Sequence, residues 1–205
     1  EDGSWKIQTD ESAPLEVIPV PRARFADETQ MRGLWFKHEP RSIIDPQGEP
    51  QMYIYGSGVA VVDLDKDGLH DIVCAAKPKH LLWFRRLDKS GKKWSAFDIP
   101  YPDNIGSGKS LTSADINADG KMDLIVTCEN AGNARSGVVW MSYEDKLADG
   151  KWNRHEVSGP LGDKYDRPEA IDVDGDGDLD IVCCEENSGE DSKVLGLMWY
   201  ENPSK

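Results

Sequence analysis

The stretch DVDGDGDLDIV, residues 172–182, carries five aspartates and runs directly into an Ile-Val pair. Two earlier stretches have the same form: DLDKDGLHDIV starts at Asp63, and DINADGKMDLIV starts at Asp115. Like charges at this spacing repel one another, and an apolar strand is a poor neighbour for unpaired charge. Each stretch therefore predicts a loop that needs a counter-charge, followed by a strand that enters a core.

The three loops mark an internal repeat. Their first aspartates lie at positions 63, 115 and 172, and tryptophans keep the same phase. The segments LLWF, VVWM and LMWY hold Trp83, Trp140 and Trp199, one beyond each loop. The segments KKWSAFDI and GKWNRHEV follow the first two of these. The separations of the first aspartates, 52 residues (115 − 63) and 57 residues (172 − 115), are typical of propeller blades.

Each repeat unit predicts four short strands. The first strand is GVAVVD (58–63) and its equivalents SLTSAD and PEAID, and the second is DIVCA (71–75) and its equivalents DLIVT and DIVCC. The tryptophan segments supply the third and fourth strands. Residues rich in β-branched and aromatic side chains, separated by turn residues, favour strands. We therefore expect an all-β chain of four-stranded antiparallel propeller blades over 56–105, 106–160 and 161–205.

The first 55 residues predict a weaker unit. RGLWFKHEP (32–40) resembles LMWYENP (197–203), which indicates a degenerate blade over 10–55. GSWKIQTD resembles the fourth-strand segment GKWNRHEV, so residues 4–9 are predicted to be a closing strand that completes the last blade and removes its exposed edge. Residues 1–205 would then form a single propeller domain of about four blades. The alternatives are a closed ring, part of a seven- or eight-bladed ring, and half of a ring completed by self-association.

The loops have the spacing of metal ligands. Oxygen-bearing side chains occupy loop positions 1, 3, 5 and 9, and position 6 is glycine. Such a loop can curl around a hard cation, and Ca²⁺ takes six to eight oxygens in flexible geometry. An EF-hand is excluded because it needs Glu at position 12, where the loops have Cys or Val. About three structural Ca²⁺ ions are predicted, with backbone carbonyls contributed by position 7. The predicted ligands are Asp63, Asp65, Asp67, Leu69, Asp71, Asp115, Asn117, Asp119, Lys121, Asp123, Asp172, Asp174, Asp176, Asp178 and Asp180.

The pattern DxDxDGxxD followed by Ile-Val resembles the calcium loops of the FG-GAP and VCBS repeat family, which form the blades of integrin α-chain propellers and of many bacterial surface proteins. The resemblance covers about residues 56 to 203. It implies that each loop joins the first two strands of a blade and binds Ca²⁺ structurally. The letters FG-GAP are themselves absent, and about four units are found where the family's rings usually have seven.

Composition narrows the function classes. The net charge is −14 and the pI is about 4.7, so nucleic acid is not an expected partner, because phosphate binding needs a basic face. No run of 18 apolar residues predicts membrane insertion. The four cysteines lack the CxxC spacing of zinc or redox motifs and follow apolar runs, so each is interpreted as a small buried hydrophobe.

A ligand surface is predicted where the ends of second strands and the starts of first strands converge around the propeller axis. A mixture of acids, amides and bases there suits a hydroxyl-rich ligand. The alternative is an ordinary solvated rim. The candidate ligand-binding residues are Lys77, His80, Lys109, Glu129, Asn130, Arg167, Glu169, Glu186 and Asn187, with Asp166 beside them.

These observations predict a calcium-stabilised, non-catalytic recognition module that binds a glycan or a protein partner. The family resemblance implies this function, and a secreted, periplasmic or cell-surface location agrees with it, because calcium outside cells fills even weak sites. One alternative is a carbohydrate-active enzyme, a polysaccharide lyase or hydrolase on a propeller scaffold, although no nucleophile or zinc motif is present. The other is a self-assembling structural half-propeller.

Overall fold

A computed structural model describes residues 43–44, 50–51, 58–76, 79–147, 150–186 and 196–203. The described chain contains thirteen β-strands and no α-helix. The strands are β1 (Ile43–Ile44), β2 (Pro50–Gln51), β3 (Gly58–Val62), β4 (Asp71–Ala76), β5 (His80–Arg86), β6 (Trp94–Ile99), β7 (Ser107–Ala114), β8 (Asp123–Glu129), β9 (Val138–Tyr143), β10 (Trp152–Glu156), β11 (Glu169–Ile171), β12 (Asp180–Glu185) and β13 (Gly196–Tyr200).

Three antiparallel sheets follow one another along the chain, and each has its strands in sequence order. Blade 1 is β3-β4-β5-β6, blade 2 is β7-β8-β9-β10, and blade 3 is β11-β12-β13. The all-β prediction is confirmed, as is the prediction that the Asp loops join first and second strands. The three sheets lie within the ranges 56–105, 106–160 and 161–205. The described strands do not close a ring, so the number of blades in a complete ring stays a prediction.

The blades stack face to face, with their first strands side by side, β3 next to β7 and β7 next to β11. Gly58 on β3 shows how close this approach is, since a Cβ there would lie 2.3 Å from the Cα of Ser110 on β7. One apolar core fills the space between blades 1 and 2, and a second core fills the space between blades 2 and 3. Alternation along the strands of blade 2 directs Leu124 and Val126 to the first core and Ile125 to the second.

The cysteines agree only in part with the prediction that they are buried. Cys128 and Cys183 are buried, Cys74 is partly buried, and Cys184 is exposed, which the burial interpretation did not anticipate. Cys184 is exposed because it alternates with Cys183 on β12 and faces away from blade 2. All four thiols are free. Among the described residues, no helix has the length and apolar character needed to cross a bilayer.

The predicted degenerate blade over 10–55 is described only at β1 and β2, which pair in an antiparallel manner. The other residues of that range lie outside the described residues, and so does the predicted closing strand at 4–9. Blade 3 has three described strands where blades 1 and 2 have four. Both predictions therefore remain predictions.

Candidate functional site

The three Asp loops, named loop 1, loop 2 and loop 3 after their blades, close on themselves by the same hydrogen bond. In each loop the amide of the position-6 glycine donates to the position-1 carboxylate. The N···O distances are 3.0 Å for Gly68 to Asp63, 2.9 Å for Gly120 to Asp115 and 3.1 Å for Gly177 to Asp172. The sequence pattern thus corresponds to one geometry, repeated three times.

Two further bonds in each loop tie successive oxygen positions together. The amide of position 5 donates to the side-chain oxygen of position 3, at 3.3 Å in loop 1, 3.0 Å in loop 2 and 3.1 Å in loop 3. The amide of position 7 donates to the carboxylate of position 5, at 2.9, 2.8 and 3.0 Å. The loop backbone therefore wraps around its own carboxylates and leaves their remaining oxygens for another partner.

Two positions in each loop require left-handed backbone. Position 6 has φ of 87°, 84° and 95°, and glycine adopts this conformation without a steric penalty. Position 4 also has positive φ, with Lys66 at 57°, Ala118 at 55° and Gly175 at 82°. Loops 1 and 2 therefore hold a residue with a Cβ in a conformation that favours glycine, whereas loop 3 does not.

Carboxylates converge in loops 1 and 3. One oxygen from each of Asp63, Asp65 and Asp67 lies within 4.8 Å of the others, and the same holds for the equivalent set in loop 3, Asp172, Asp174 and Asp176. Carboxylates at this separation repel unless a cation lies among them. Loop 2 has Asn117 at position 3 and so offers one carboxylate fewer.

Buried oxygens without a hydrogen-bond partner give an independent sign of a cation. The Oδ1 atoms of Asp63 and Asp115, both at position 1, are shielded from solvent and accept no hydrogen bond from a described residue. Oδ1 of Asp123 is likewise shielded from solvent without a hydrogen bond from a described residue, and the Asp123 side chain is fully buried. An unpartnered buried carboxylate oxygen is costly, and a metal ion would satisfy it. The residues present therefore fit a hard divalent cation such as Ca²⁺.

The position-9 aspartates also have a structural role that the sequence did not reveal. Asp71, Asp123 and Asp180 are buried, and each links its loop to the rest of the blade. Asp71 accepts hydrogen bonds from the Trp83 indole at 2.8 Å and from the Arg86 amide at 2.8 Å. The indole of the third-strand tryptophan is thus fixed by the acid that closes the loop.

In blades 2 and 3 the position-9 carboxylate holds the amide of loop position 2, from Ile116 to Asp123 at 3.0 Å and from Val173 to Asp180 at 3.1 Å. Burial raises the pKa of Asp123 to about 6. The amide of Asn202 and then that of Val173 hold the pKa of Asp180 below its usual value. The metal-ligand role of all predicted ligands, including the position-7 carbonyls of Leu69, Lys121 and Asp178, stays a prediction.

Protein cations approach loops 1 and 2. In loop 1, Arg85 Nε lies 2.5 Å from Asp65 Oδ2, and its Nη2 lies 3.3 Å from Asp67 Oδ2. In loop 2, Lys121 Nζ lies 3.6 Å from Asp119 Oδ2. Lys66 extends from loop 1 and donates to the Gly120 carbonyl of loop 2. The repeat alignment of the loops alone did not predict these contacts, because basic side chains do not recur at one position of the three loops.

A polar cluster lies at the junction of blades 2 and 3, named here the junction cluster: Lys109, Lys164, Asp166 and Glu186. Lys109 lies in β7 at an irregularity of the β7–β8 register between Gly108 and Ser110, and it pairs with Asp166 and, at 3.7 Å, with Glu186. Lys164 pairs with Glu186 at 3.0 Å, and this bond raises the pKa of Lys164. Bulges often redirect a side chain towards a functional site.

The remaining predicted ligand-binding residues are more scattered. Arg167 and Glu169 pair with each other at 2.9 Å and are exposed. Asn130 and Glu129, at the end of β8, are 3.5 Å apart, and His80 is exposed at the start of β5. Lys77 and Asn187 lie outside the described residues. Of the predicted residues, the structure brings Lys109, Asp166 and Glu186 together, and it adds Lys164, which was not among them and has no basic equivalent in the other blades.

A cavity of about 400 Å³ runs beside β13. Its lining includes Trp140 and Val157 from the blade 2 side and Trp199 and Tyr200 from blade 3. The lining also includes Glu156 and Glu201, so the cavity has a mixed polar and apolar lining. It lies beside the edge of β13 that pairs with no described strand, where a fourth strand lies in the other two blades.

Comparison with known proteins agrees with this geometry. The family model of the FG-GAP-like repeat matches residues 63–126. The match begins at the first aspartate of loop 1 and ends within β8, so it contains both loop 1 and loop 2. No curated protein matches the chain. Residues 63–126 are therefore similar to an FG-GAP-like repeat, which supports a β-propeller type of module.

Proposed function

We propose that this chain is a calcium-stabilised β-propeller recognition module that acts outside the cytoplasm and binds a glycan or a protein partner without catalysing a reaction. The FG-GAP-like repeat and the bladed sheets support the module type. The calcium, the location and the ligand are the parts that experiments must test.

The observation that carries the calcium proposal is the pair of orphaned position-1 oxygens. Oδ2 of Asp63 and Oδ2 of Asp115 each accept a glycine amide, whereas Oδ1 of each is buried and has no hydrogen-bond partner among the described residues. The same atom is left unsatisfied in two separate loops, so a chance defect of packing is a poor explanation. Calcium is favoured over magnesium because Mg²⁺ retains several waters and seldom takes an all-protein cage.

Net charge supports the same proposal. Eleven carboxylates occupy positions 1, 3, 5 and 9 of the loops in a chain of net charge −14. Without metal their repulsion opposes the folded state, and an ion that binds only the folded state stabilises it by mass action. Calcium is abundant outside cells, which is why we place the protein in a secreted, periplasmic or cell-surface setting.

The junction cluster is the proposed ligand surface. It presents two ammonium groups and two carboxylates, partly exposed and linked by ion pairs. Such a cluster offers both donors and acceptors to a hydroxyl-rich ligand, and its mutual pairing positions those groups before binding. A protein partner with mixed charge is the other ligand class that this surface suits.

Calcium titration tests the metal. After dialysis against EDTA, the chain is titrated calorimetrically, and its thermal unfolding is compared with and without calcium. We expect about three ions to bind and the melting temperature to rise by at least about 5 °C. The double substitution Asp174→Asn and Asp176→Asn should remove one ion, whereas Asp145→Asn, an exposed acid outside the loops, should not. No heat of binding together with an unchanged melting temperature would sink the calcium proposal.

A glycan array tests recognition, with the calcium-loaded protein and again after EDTA. We expect binding to a defined sugar class that is lost in Lys109→Ala and Glu186→Gln. Lys146→Ala, exposed and away from the junction cluster, is the matched control. If folded, calcium-loaded protein binds no glycan on the array, the glycan arm of the proposal is wrong and the protein-partner arm remains.

A further inference from the structure

The residue two positions after the third-strand tryptophan occupies the same place in every blade. Trp83 pairs with Val73, Trp140 with Ile125 and Trp199 with Val182, and each partner is the second residue after its loop's position-9 aspartate. The register is therefore identical in the three blades. Two residues after the tryptophan, the chain lies at the level of the Asp loop. This place, named here the charge position, holds Arg85, Ser142 and Glu201.

In blade 1 the charge position supplies a cation. The Arg85 guanidinium spans loop positions 3 and 5, with Nε 2.5 Å from Asp65 and Nη2 3.3 Å from Asp67. A guanidinium remains charged at all ordinary pH values, and its two contacts take oxygens that a metal ion would otherwise use. Loop 1 is thus partly neutralised by the protein itself.

In blade 3 the charge position supplies another anion. The shared register places Glu201 beside loop 3, at the place from which Arg85 reaches loop 1, and the carboxylates of Asp174, Asp176 and Asp180 lie within electrostatic range of it. Within the part of the chain that the structure describes, no basic side chain forms an ion pair with Asp172, Asp174 or Asp176. Loop 3 therefore gathers one carboxylate more than its own sequence contains.

Blade 2 is intermediate. Ser142 is neutral, and its hydroxyl lies 2.9 Å from Nε2 of His155 rather than on the loop. The nearby cation, Lys121, lies 3.6 Å from Asp119 and also donates to the carbonyls of Tyr143 and Glu144. Loop 2 thus has neither the bridging arginine of loop 1 nor the added acid of loop 3.

We propose, resting on the calcium function proposed above, that the residue at the charge position sets the Ca²⁺ affinity of its loop. Arg85 already neutralises part of loop 1 and therefore weakens Ca²⁺ binding there. Glu201 adds a negative charge to loop 3 and therefore strengthens Ca²⁺ binding there. The loops then fill in stages, with loop 3 first and loop 1 last. Loop 1 keeps its shape at low calcium, whereas loop 3 depends on the ion. Blade 3 becomes the calcium-responsive part of the molecule.

The position-6 glycines give one reporter for each loop. Their amides donate to the position-1 carboxylates, so the ¹⁵N–¹H signals of Gly68, Gly120 and Gly177 respond to metal at their own loops. In a calcium titration of the full chain, we expect the Gly177 signal to change at the lowest calcium concentration and the Gly68 signal at the highest.

The decisive variants change one charge position at a time. Arg85→Gln should shift the Gly68 titration to calcium concentrations at least about tenfold lower, because a unit charge within contact distance of the site is removed. Glu201→Gln should shift the Gly177 titration to higher calcium by about the same factor. Arg135→Gln removes the same charge beyond the other end of β8, where the guanidinium donates to the Gly132 carbonyl, and should change neither signal.

The outcomes distinguish a failure of the charge-position inference from a failure of the proposed calcium binding. If the wild-type chain binds calcium but Arg85→Gln and Glu201→Gln titrate like the wild type, the charge position does not set Ca²⁺ affinity and the inference is overturned. If Gly68 titrates before Gly177 in the wild type, the order is wrong and the inference is again overturned. If no reporter responds to calcium in the wild type, the proposed calcium function fails, and this inference fails with it.

Discussion

Blades 2 and 3 begin alike and end differently. Both have an Asp loop between their first two strands and a tryptophan on the third, but the third strand of blade 2 is covered by β10, whereas β13 has no described strand beyond it. Trp140 consequently stacks on His155, with ring centroids 3.7 Å apart, while Trp199 is 48% exposed. Blade 1 resembles blade 2, because Trp83 stacks on Phe97 at 4.9 Å.

The difference shows what a fourth strand contributes to a blade. It supplies the ring that covers the third-strand tryptophan, whereas the acid behind that tryptophan is buried in all three blades. Burial raises the pKa values of Asp71 and Asp123, whereas the amides of Asn202 and Val173 hold the pKa of the equally buried Asp180 below its usual value. The position-9 acid of the repeated pattern is therefore held differently in blade 3 than in blades 1 and 2.

The largest expected effect comes from truncating the third-strand tryptophans. Trp83 is 4% exposed and donates its indole N–H to Asp71, so Trp83→Ala should lower the free energy of unfolding by about 3 to 5 kcal/mol. Trp199→Ala should cost about 1 to 2 kcal/mol, because half of the ring already contacts water. Urea unfolding at saturating calcium measures both. Equal losses would break the comparison and would mean that Trp199 is covered in solution.

The predicted closing strand at residues 4–9 would give blade 3 the cover that β6 and β10 give to blades 1 and 2. In the complete blades, Phe97 and His155 pair with the tryptophans, and each lies three residues after a fourth-strand tryptophan. The same spacing in GSWKIQTD would place Gln8 opposite Trp199. Removing residues 1–10 should then speed hydrogen exchange in β13 and lower the melting temperature by about 5 °C or more.

Two other outcomes of that experiment are informative. Unchanged exchange in β13 after the truncation would contradict a role for residues 4–9. Protection of β13 that increases with protein concentration, together with a doubled mass in solution, would favour self-association as the way in which the edge is covered.

We expect Asp123 and Asp180 to give the free energy of unfolding opposite pH dependences when EDTA has removed metal ions. The pKa of Asp123 is raised to about 6 in the folded state. Asp123 therefore contributes to the free energy of unfolding below the unfolded pKa near 3.8, and this contribution is lost as pH rises through about 6. The lowered pKa of Asp180 means that its contribution is present above the unfolded value and is lost as pH falls. Asp123→Asn should therefore flatten the stability loss between pH 4 and 7, by about 2 kcal/mol, and Asp180→Asn should reduce stability most at neutral pH. The same slope in both variants would contradict this assignment.

The smallest expected effect concerns loop position 4. Ala118 of loop 2 has φ of 55°, whereas Gly175 of loop 3 occupies the equivalent left-handed position without a Cβ. Ala118→Gly should raise the free energy of unfolding by up to about 1 kcal/mol, and Gly175→Ala should lower it by a similar amount. No atom lies within 4 Å of a Cβ built on Gly175, so the loss would come from backbone strain alone. Thermal unfolding of the two variants is sufficient, and changes of the same sign would refute the argument.

Much of the fold was predictable because the same local pattern occurs three times. The phase of the tryptophans relative to the Asp loops predicted the four strands of blades 1 and 2 and three of blade 3. The strands begin within a few residues of the predicted positions, since β-branched runs and turn residues both mark their ends.

The cross-blade and loop-to-strand contacts were not predictable in the same way. The hydrogen bond from Trp83 to Asp71 and the ion pairs of Arg85 join residues that are distant in sequence, and no single loop signals them. Lys164 joins the junction cluster without an equivalent in the other blades. Aligning the blades by their third-strand tryptophans would have placed Arg85, Ser142 and Glu201 in one column, which is the signal that was missed.

The most direct test of the account is to locate calcium at the loops. A crystal of the full chain grown with calcium, with data collected at a long wavelength, gives anomalous peaks wherever the ion binds. We expect peaks among positions 1, 3 and 5 of the loops, strongest at loop 3 and weakest at loop 1, where Arg85 already holds two carboxylates. An anomalous map with no peak at any loop, from crystals soaked at millimolar calcium, would contradict the account.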